Sequence, residues 1–289
     1  MEINGRTGFY CLIGSPVGHS GSPAMYNYSF QRTGLDDVYL AFDVKLEEMD
    51  AAVNGLKTLG CKGFNVTMPC KTRAAQMADE LSDAARLIGA CNTVVIRDGR
   101  LIGHNTDGIG FVRNLKEQGV DVRGKTMTVM GAGGAATAIQ VQSALDGVKK
   151  LHIFNREDEF AANTRSTAAK IRELLPDVEV ELFPLEDSRA LYDRIAESDI
   201  LVNATKAGMK PLEDVSLIGD ASVFRPELVV ADAVYNPRET KMIREARKAG
   251  CRVAVGGIGM LLRQGEAAFH IFTGKTMPTD EVYEKFFKE

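Results

Sequence analysis

Thr126-Met127-Thr128-Val129-Met130-Gly131-Ala132-Gly133-Gly134-Ala135-Ala136 is the stretch that decides the fold. Five residues of strand character run into a glycine cluster, and a helical pattern, Ala135–Leu145, follows at once. Glycine at 131 permits a tight turn, and glycine at 133 lets the backbone approach a ligand closely. Small residues at Gly134, Ala135 and Ala136 let the helix sit against the strand. The first N–H groups of such a helix and its dipole favour an anion, so the turn reads as a pyrophosphate cradle, with Gly131, Ala132, Gly133, Gly134 and Ala135 binding a dinucleotide.

The next strand ends at Asn155-Arg156-Glu157-Asp158, about twenty residues beyond the glycines, where the ribose-reading residue of such folds is expected. An acid there accepts from the 2′-hydroxyl of NAD and repels the 2′-phosphate of NADP, whereas the Arg156 guanidinium suits a phosphate. Asp158, with Glu157 behind it, tips the expectation to NAD, with NADP still open. Acids also favour helix starts for purely structural reasons.

Outward from this unit, strand and helix patterns alternate along the whole chain. Before it lie strands at Phe9–Ile13, Val38–Val44 and Gly63–Val66, and helices from Pro23 and over Leu46–Leu59. A hairpin Thr93–Arg97/Leu101–His104 turns on Asp98-Gly99, and a helix is expected over Thr106–Gln118. After the cradle come strands at Leu151–Asn155, Val178–Phe183, Ile200–Asn203, Val229–Asp232 and Arg252–Val255. The helices there are Phe160–Leu175, Leu191–Glu197 and Thr240–Ala249, and the chain ends in helical segments Met260–Phe272 and Val282–Phe287. Such alternation implies α/β architecture with parallel sheets covered on both faces. The expected arrangement is two domains: an N-terminal α/β substrate domain, 1–115, joined by C-terminal helices 265–289, and a Rossmann-type, doubly wound dinucleotide-binding domain, 116–264.

Composition narrows the partners. The chain has 289 residues, a net charge of −4 and 45% hydrophobic residues, and no basic run, which argues against nucleic acid. No apolar run is long enough to span a bilayer, and the N-terminus lacks a signal-peptide core. Five cysteines without a C-x-x-C pair and four dispersed histidines give no metal-site pattern and point to a reduced, cytoplasmic setting.

Two further motifs carry candidate chemistry. Asn65-Val66-Thr67-Met68-Pro69-Cys70-Lys71 and Asn105-Thr106-Asp107-Gly108 each place one charged side chain among small polar neighbours. Beside a nucleotide site, a Lys/Asp pair suits hydride chemistry on a polar alcohol, because the hydroxyl proton needs a carrier and a developing alkoxide needs a cation. Lys71 fills the role as a proton carrier or as an electrostatic group; the sequence leaves both open. Taken singly, Lys71 reads as a surface lysine and Asp107 as a helix cap.

The motifs occur in an order that resembles the shikimate dehydrogenase family. The resemblance rests on Gly14–Pro23 (GSPVGHSGSP), Asn65–Lys71, Gly89–Thr93 (GACNT), Gly103–Gly108 and the turn Gly131–Ala135. Val234-Tyr235-Asn236-Pro237 and Gly259–Gly265 (GMLLRQG) complete it, and the matches span nearly the whole chain. Thr205–Leu212 together with Asn155-Arg156-x-Asp158 resembles the NAD-accepting quinate/shikimate dehydrogenase branch. The resemblance implies reversible oxidation of shikimate to 3-dehydroshikimate, with quinate as a second substrate, in aromatic amino acid (chorismate) biosynthesis, and an active site between the domains. It implies Lys71 as the proton-transfer residue, Asp107 on a substrate hydroxyl, Ser20 and Ser22 on the carboxylate, and Thr67, Asn92 and Gln264 on the ring hydroxyls. Tyr39 is either a site wall or strand packing. Asn155, Arg156, Asp158, Lys206, Tyr235 and Gly257 complete the cofactor set. A homodimer is left open.

Ser-x-Ser is expected to present both hydroxyls from one side of an extended segment. His104 stands where many relatives have tyrosine, and Ile258 and Arg263 stand where relatives of the NAD-accepting branch often carry aromatics. Two other readings stay open: a dehydrogenase of the same scaffold acting on another polyhydroxy or amino-substituted ring acid, and a non-catalytic nucleotide-binding regulator.

Overall fold

The computed structural model describes residues 2–159 and 161–288. The chain forms two compact units, Met1–Thr106 with Gln264–Glu289, and Asp107–Arg263. The break therefore falls at 106/107, ahead of the expected 115/116, because the helix that follows it packs on the second unit's own helices.

The first unit runs β1 (Gly8–Gly14), α1 (Ser22–Thr33), β2 (Asp37–Asp43), α2 (Met49–Thr58), β3 (Gly63–Val66), α3 (Lys71–Met77), β4 (Glu80–Leu81), α4 (Asp83–Ile88), β5 (Thr93–Arg97) and β6 (Arg100–His104). Its sheet has the order β2-β1-β3-β5-β6-β4. This sheet is mixed, not parallel as expected: β1 runs parallel to β2 and β3, but β5 is antiparallel to both β3 and β6. The cause is local. Asp98, at φ 52°, and Gly99, at φ 75°, close a turn too short for a parallel crossover. The short helices α3 and α4 and the two-residue β4 were absent from the sequence expectation. Leu46–Glu48 forms a separate 3₁₀ turn ahead of α2.

Both faces of this sheet are covered. Alternation along β1 sends Cys11 and Ile13 into an aliphatic core with Met49, Phe64 and Val66. Tyr10 goes to the other face, where its ring lies 4.9 Å from Phe272, and Tyr26 stacks on Tyr39 at 4.4 Å. Burial of each large side chain contributes about 1.5–3 kcal/mol. The C-terminal segment completes this aromatic layer: the Tyr10 and Tyr26 hydroxyls donate to the Phe272 and Gly265 carbonyls. On the outer edge of the sheet, the Asn27 side chain pairs with the backbone of Tyr39. It accepts from the N–H at 2.9 Å and donates to the carbonyl at 2.8 Å.

The second unit runs α5 (Asp107–Glu117), β7 (Thr126–Met130), α6 (Gly134–Leu145), β8 (Lys150–Asn155), α7 (Ala161–Leu174), β9 (Glu179–Pro184), α8 (Ser188–Glu197), β10 (Ile200–Asn203), β11 (Val229–Asp232), α9 (Lys241–Lys248) and β12 (Val253–Val255). Helix α10 (Ile258–Thr273) begins here and ends in the first unit, and α11 (Thr279–Phe286) closes the chain. Phe160, the expected first residue of α7, lies outside the described residues. All strands pair in parallel in the order β12-β11-β10-β7-β8-β9, the doubly wound arrangement expected from the alternation. Chain progression reverses between β7 and β10, and ligands of such sheets bind outside the strand ends at that point. Close packing of α5 on α6 depends on Gly108, where a Cβ would lie 2.3 Å from the Ala138 carbonyl.

Candidate functional site

In the first unit the carboxyl end of β3 and the adjacent ends of β5 and β6 carry a buried polar array. Asn65, Asn92, Thr93 and Thr106 are all nearly inaccessible, so each polar atom needs a partner. The Thr106 backbone N–H can only donate, and it meets Asn92 Oδ1 at 2.8 Å. That contact fixes the amide orientation, so Asn92 Nδ2 faces Thr106 Oγ1 at 2.9 Å. Thr93 Oγ1 donates to Asn92 Oδ1 at 3.0 Å, and Thr106 Oγ1 reaches Gln264 Oε1 at 3.4 Å. Asn65 Nδ2 donates to the Asn92 carbonyl at 3.1 Å and to Thr93 Oγ1 at 3.0 Å.

The structure thus brings Asn92 and Gln264 together through Thr106. Lys71 opens α3, and its carbonyl accepts from Cys91 N–H at 3.0 Å, which places the lysine backbone beside the Asn92 strand. Thr67 lies one turn earlier: its N–H donates to the Ile13 carbonyl and its carbonyl accepts from Cys70 N–H. Gly14, at φ 145°, leaves no room for a Cβ, which would lie 2.4 Å from Thr67 Cγ2. The loops after β1 and β3 are thereby held together.

Ser20 and Ser22 do not lie on an extended segment. Gly21 is in the αR region, and Ser22 is the first residue of α1 with Pro23 behind it. Ser20 Oγ accepts from Ser22 N–H at 3.2 Å. Both hydroxyls therefore sit at a helix N-terminus, where the dipole favours an anion. The cause is the proline, which is tolerated only in the first turn and starts the helix there.

Tyr39 is fully buried, with 0% exposure, and its hydroxyl donates to Asn65 Oδ1 at 2.7 Å. Burial pushes its ionisation well above the usual tyrosine range, so it remains a donor. Of the two readings of Tyr39, the structure favours packing, with a polar link to the array through Asn65. Asn65, Thr93 and Thr106 were not singled out from sequence. Their signal was membership in the motifs Asn65–Lys71, Gly89–Thr93 and Gly103–Gly108.

In the second unit the glycine turn lies where the fold rule places it. Gly131 has φ 121°, and a Cβ there would lie 2.6 Å from the Ala204 carbonyl, so the ends of β7 and β10 touch at this glycine. Gln140 Nε2 donates to its carbonyl at 3.0 Å. Gly133 is the N-cap of α6 and has no side-chain cap, and around both Gly133 and Gly134 a Cβ would meet only open space. The first N–H groups of a twelve-residue helix have no intrahelical acceptor, and this helix start fits a pyrophosphate. Gly134 and Ala135 are exposed, so they do not mediate helix–strand packing as expected; the fully buried Ala136 begins that contact.

Asn155, Arg156 and Glu157 line a pocket of about 230 Å³ at the carboxyl ends of β8 and β9, with Thr164, Arg165 and Glu186. Asp158 follows as an exposed residue ahead of α7. Lys206 is exposed in the loop after β10. Gly257 N–H donates to the Val234 carbonyl at 2.9 Å, and a Cβ there would lie 2.3 Å from the Ala233 carbonyl, which brings the β12 end against the loop that carries half-exposed Tyr235. Under these loops Asp232 accepts from Asn203 Nδ2 at 3.0 Å, Thr240 Oγ1 at 2.6 Å and Val234 N–H at 2.9 Å. Burial raises the Asp232 carboxyl, and these bonds oppose it. Asp107 occupies the first turn of α5. Among the described residues no cluster of His, Cys, Asp or Glu could hold a metal, and no helix is long and apolar enough to cross a membrane.

Residues 12–94 match the profile of the shikimate dehydrogenase substrate binding domain, and residues 257–285 that of the shikimate 5′-dehydrogenase C-terminal domain. The chain is 49% identical over 286 residues, 99% of its length and 98% of the relative's, to shikimate dehydrogenase (NADP(+)) of Listeria monocytogenes serotype 4b. It belongs to the shikimate dehydrogenase family. A solved shikimate 5-dehydrogenase from Listeria monocytogenes, in complex with shikimate and NAD, superposes with a TM-score of 0.95 at 49% identity, covering 98% of each chain. The quinate dehydrogenase of Corynebacterium glutamicum, in complex with NAD, is 29% identical and gives 0.86, covering 98% of this chain and 99% of that one. As a shikimate dehydrogenase family member, this chain is an oxidoreductase built for a nicotinamide dinucleotide.

Proposed function

We propose that the protein reversibly oxidises shikimate to 3-dehydroshikimate, with quinate as a second substrate and NAD preferred over NADP. The observation that carries this reading is the array of Asn92, Thr106 and Gln264 beside Lys71. Neutral amides and hydroxyls, oriented by buried hydrogen bonds, suit a ring with several hydroxyl groups, and a single ammonium suits one reacting oxygen.

When bound, the nicotinamide ring supplies the hydride acceptor. Ser20 and Ser22, at the α1 N-terminus, hold the carboxylate. Thr67, Asn92 and Gln264 hold ring hydroxyls, and Asp107 holds another. Lys71 Nζ takes the proton of the reacting hydroxyl, and in the reverse direction stabilises the alkoxide and returns the proton. Gly131 to Ala135 hold the pyrophosphate by backbone N–H groups, Asn155, Arg156 and Asp158 border the adenosine ribose, and Lys206, Tyr235 and Gly257 border the nicotinamide half. The proposed compartment is the cytoplasm, in keeping with five buried free thiols.

Replacing Lys71 by alanine tests the assignment. Proton transfer by a positioned group contributes about 10²–10⁴-fold, so kcat falls by that factor while dinucleotide binding, read by calorimetry, persists. Retained turnover removes Lys71 from the mechanism. Rates with shikimate and quinate, each with NAD and NADP, test the substrate and cofactor assignment together.

A further inference from the structure

The pocket at the carboxyl ends of β8 and β9 contains two cations and two carboxylates. Glu157 holds Arg165 with two contacts, at 2.9 and 3.0 Å from one guanidinium nitrogen. Arg156 Nε lies 3.9 Å from Glu186 Oε1. All four side chains line the cavity together with Asn155, Thr164 and the apolar Leu182 and Phe183. Its 230 Å³ is smaller than a drug-sized site, about 300–1,000 Å³, and suits one nucleoside half of a dinucleotide. It lies at the end of the strand that follows the glycine turn, which is the ribose position in this architecture.

We propose that Glu157 and Glu186 are internal occupants of a phosphate-reading site, and that Glu157, through Arg165, sets the choice between NAD and NADP. This rests on the dinucleotide reading of the second unit. With a 2′-hydroxyl bound, the two carboxylates stay on their arginines and the pocket is close to neutral. A 2′-phosphate carries its own charge and bidentate acceptor geometry, so it displaces the carboxylates and takes Arg156 and Arg165 as partners. The pairs are well exposed, with Glu157 at 79% and Arg165 at 57%. Each therefore shifts an equilibrium by no more than about fivefold. The gate is soft: NAD is favoured, and NADP is admitted.

Asp158, with Glu157 behind it, was expected to make this choice, and of the two Glu157 is the one in the pocket wall. Arg165 lies within α7, beyond the residues usually examined after such a strand, and only the folded arrangement places it opposite Arg156.

The test compares kcat/KM for NADP and NAD in the wild type, Glu157→Gln, Arg165→Gln, Glu157→Gln/Glu186→Gln and Asp158→Asn. Calorimetry with adenosine 2′,5′-bisphosphate and with AMP on the same proteins gives binding free of turnover. Expected are a rise of about three- to fivefold in the NADP-to-NAD ratio for Glu157→Gln, a larger rise for the double variant, and a fall of similar size for Arg165→Gln. The bisphosphate-to-AMP affinity ratio moves in the same directions. An unchanged ratio in Glu157→Gln, or a ratio that responds to Asp158→Asn and not to Glu157→Gln, overturns the gate while leaving the dinucleotide site intact. Equal losses for AMP and the bisphosphate in Arg165→Gln remove Arg165 as a phosphate reader. If neither adenosine ligand binds the wild type, the dinucleotide reading itself fails at this pocket.

Discussion

Removing one oxygen from Tyr39 tests whether the polar array is held from behind. In Tyr39→Phe the ring still stacks on Tyr26, but Asn65 Oδ1 loses the donor it meets at 2.7 Å. Asn65 is 7% exposed and Tyr39 is fully buried, so water has little access to replace that donor. A buried acceptor left without its partner costs about 1–3 kcal/mol, against well under 1 kcal/mol if solvent could enter. Asn65 is also freed to rotate, and its amide nitrogen is what ties the Asn92 carbonyl and Thr93. Small displacements of positioning groups are amplified in rate, so kcat/KM for shikimate falls by up to about tenfold while dinucleotide affinity is retained. Urea unfolding followed by far-ultraviolet circular dichroism gives the stability change for the transition of the first unit, and initial rates give the rest. A loss below about 0.5 kcal/mol, with the shikimate parameters unmoved, would refute the claim that Tyr39 orients the array through Asn65.

Two glycines of the same turn separate geometry from binding. Gly133→Ala keeps an ordinary backbone and meets no protein atom, so the melting temperature stays within a few degrees while dinucleotide affinity drops by about tenfold or more; equal affinity would show that no phosphate passes there. Gly131→Ala combines φ 121° with a Cβ 2.6 Å from a carbonyl and lowers stability by about 1–3 kcal/mol, measured by the same unfolding curves. His152 is fully buried, and burial lowers its pKa below the ordinary 6.5 despite Glu181 Oε2 at 3.2 Å. The unfolded chain therefore binds the proton first, so stability present above about pH 6.5 is lost as pH falls below it, and His152→Gln flattens that slope in unfolding curves between about pH 7 and 5. The half-buried His104 shares the direction and accounts for the part of the slope that remains.

The second unit was legible because its central strands, β7, β8, β10 and β11, are mostly buried and read as largely apolar runs, and because Gly131 marks a backbone conformation that other residues avoid. Strand ends there match within a residue or so. The first unit was less legible. Its mixed sheet turns on Asp98-Gly99, which was recognised, but the consequence for β3 and β5 depends on α3 and α4, which are too short to show a helical period. Site residues with a chemical signature, Lys71, Asn92 and Gln264, were found through their motifs. Asn65, Thr93 and Thr106 lie inside the same motifs, but an amide or hydroxyl there carries no sign of which neighbour it will meet, so their part in the array emerges only in the fold. Arg165 was missed for a related reason: in a helix rich in charged and polar residues, one arginine differs from the others only by what lies across from it.

The Asn27 side chain on the rim of β2 has a consequence for handling the protein at high concentration. The backbone N–H and C=O of Tyr39 face outward on an edge strand, beside exposed Leu40 and Phe42. An open, apolar edge of this kind recruits strands from other molecules. Asn27 imitates one peptide group of a neighbouring strand and occupies the position from within. Deamidation at Asn27 would replace the donor with a carboxylate facing the Tyr39 carbonyl, and a slow chemical change on the rim of the sheet would then emerge as precipitation.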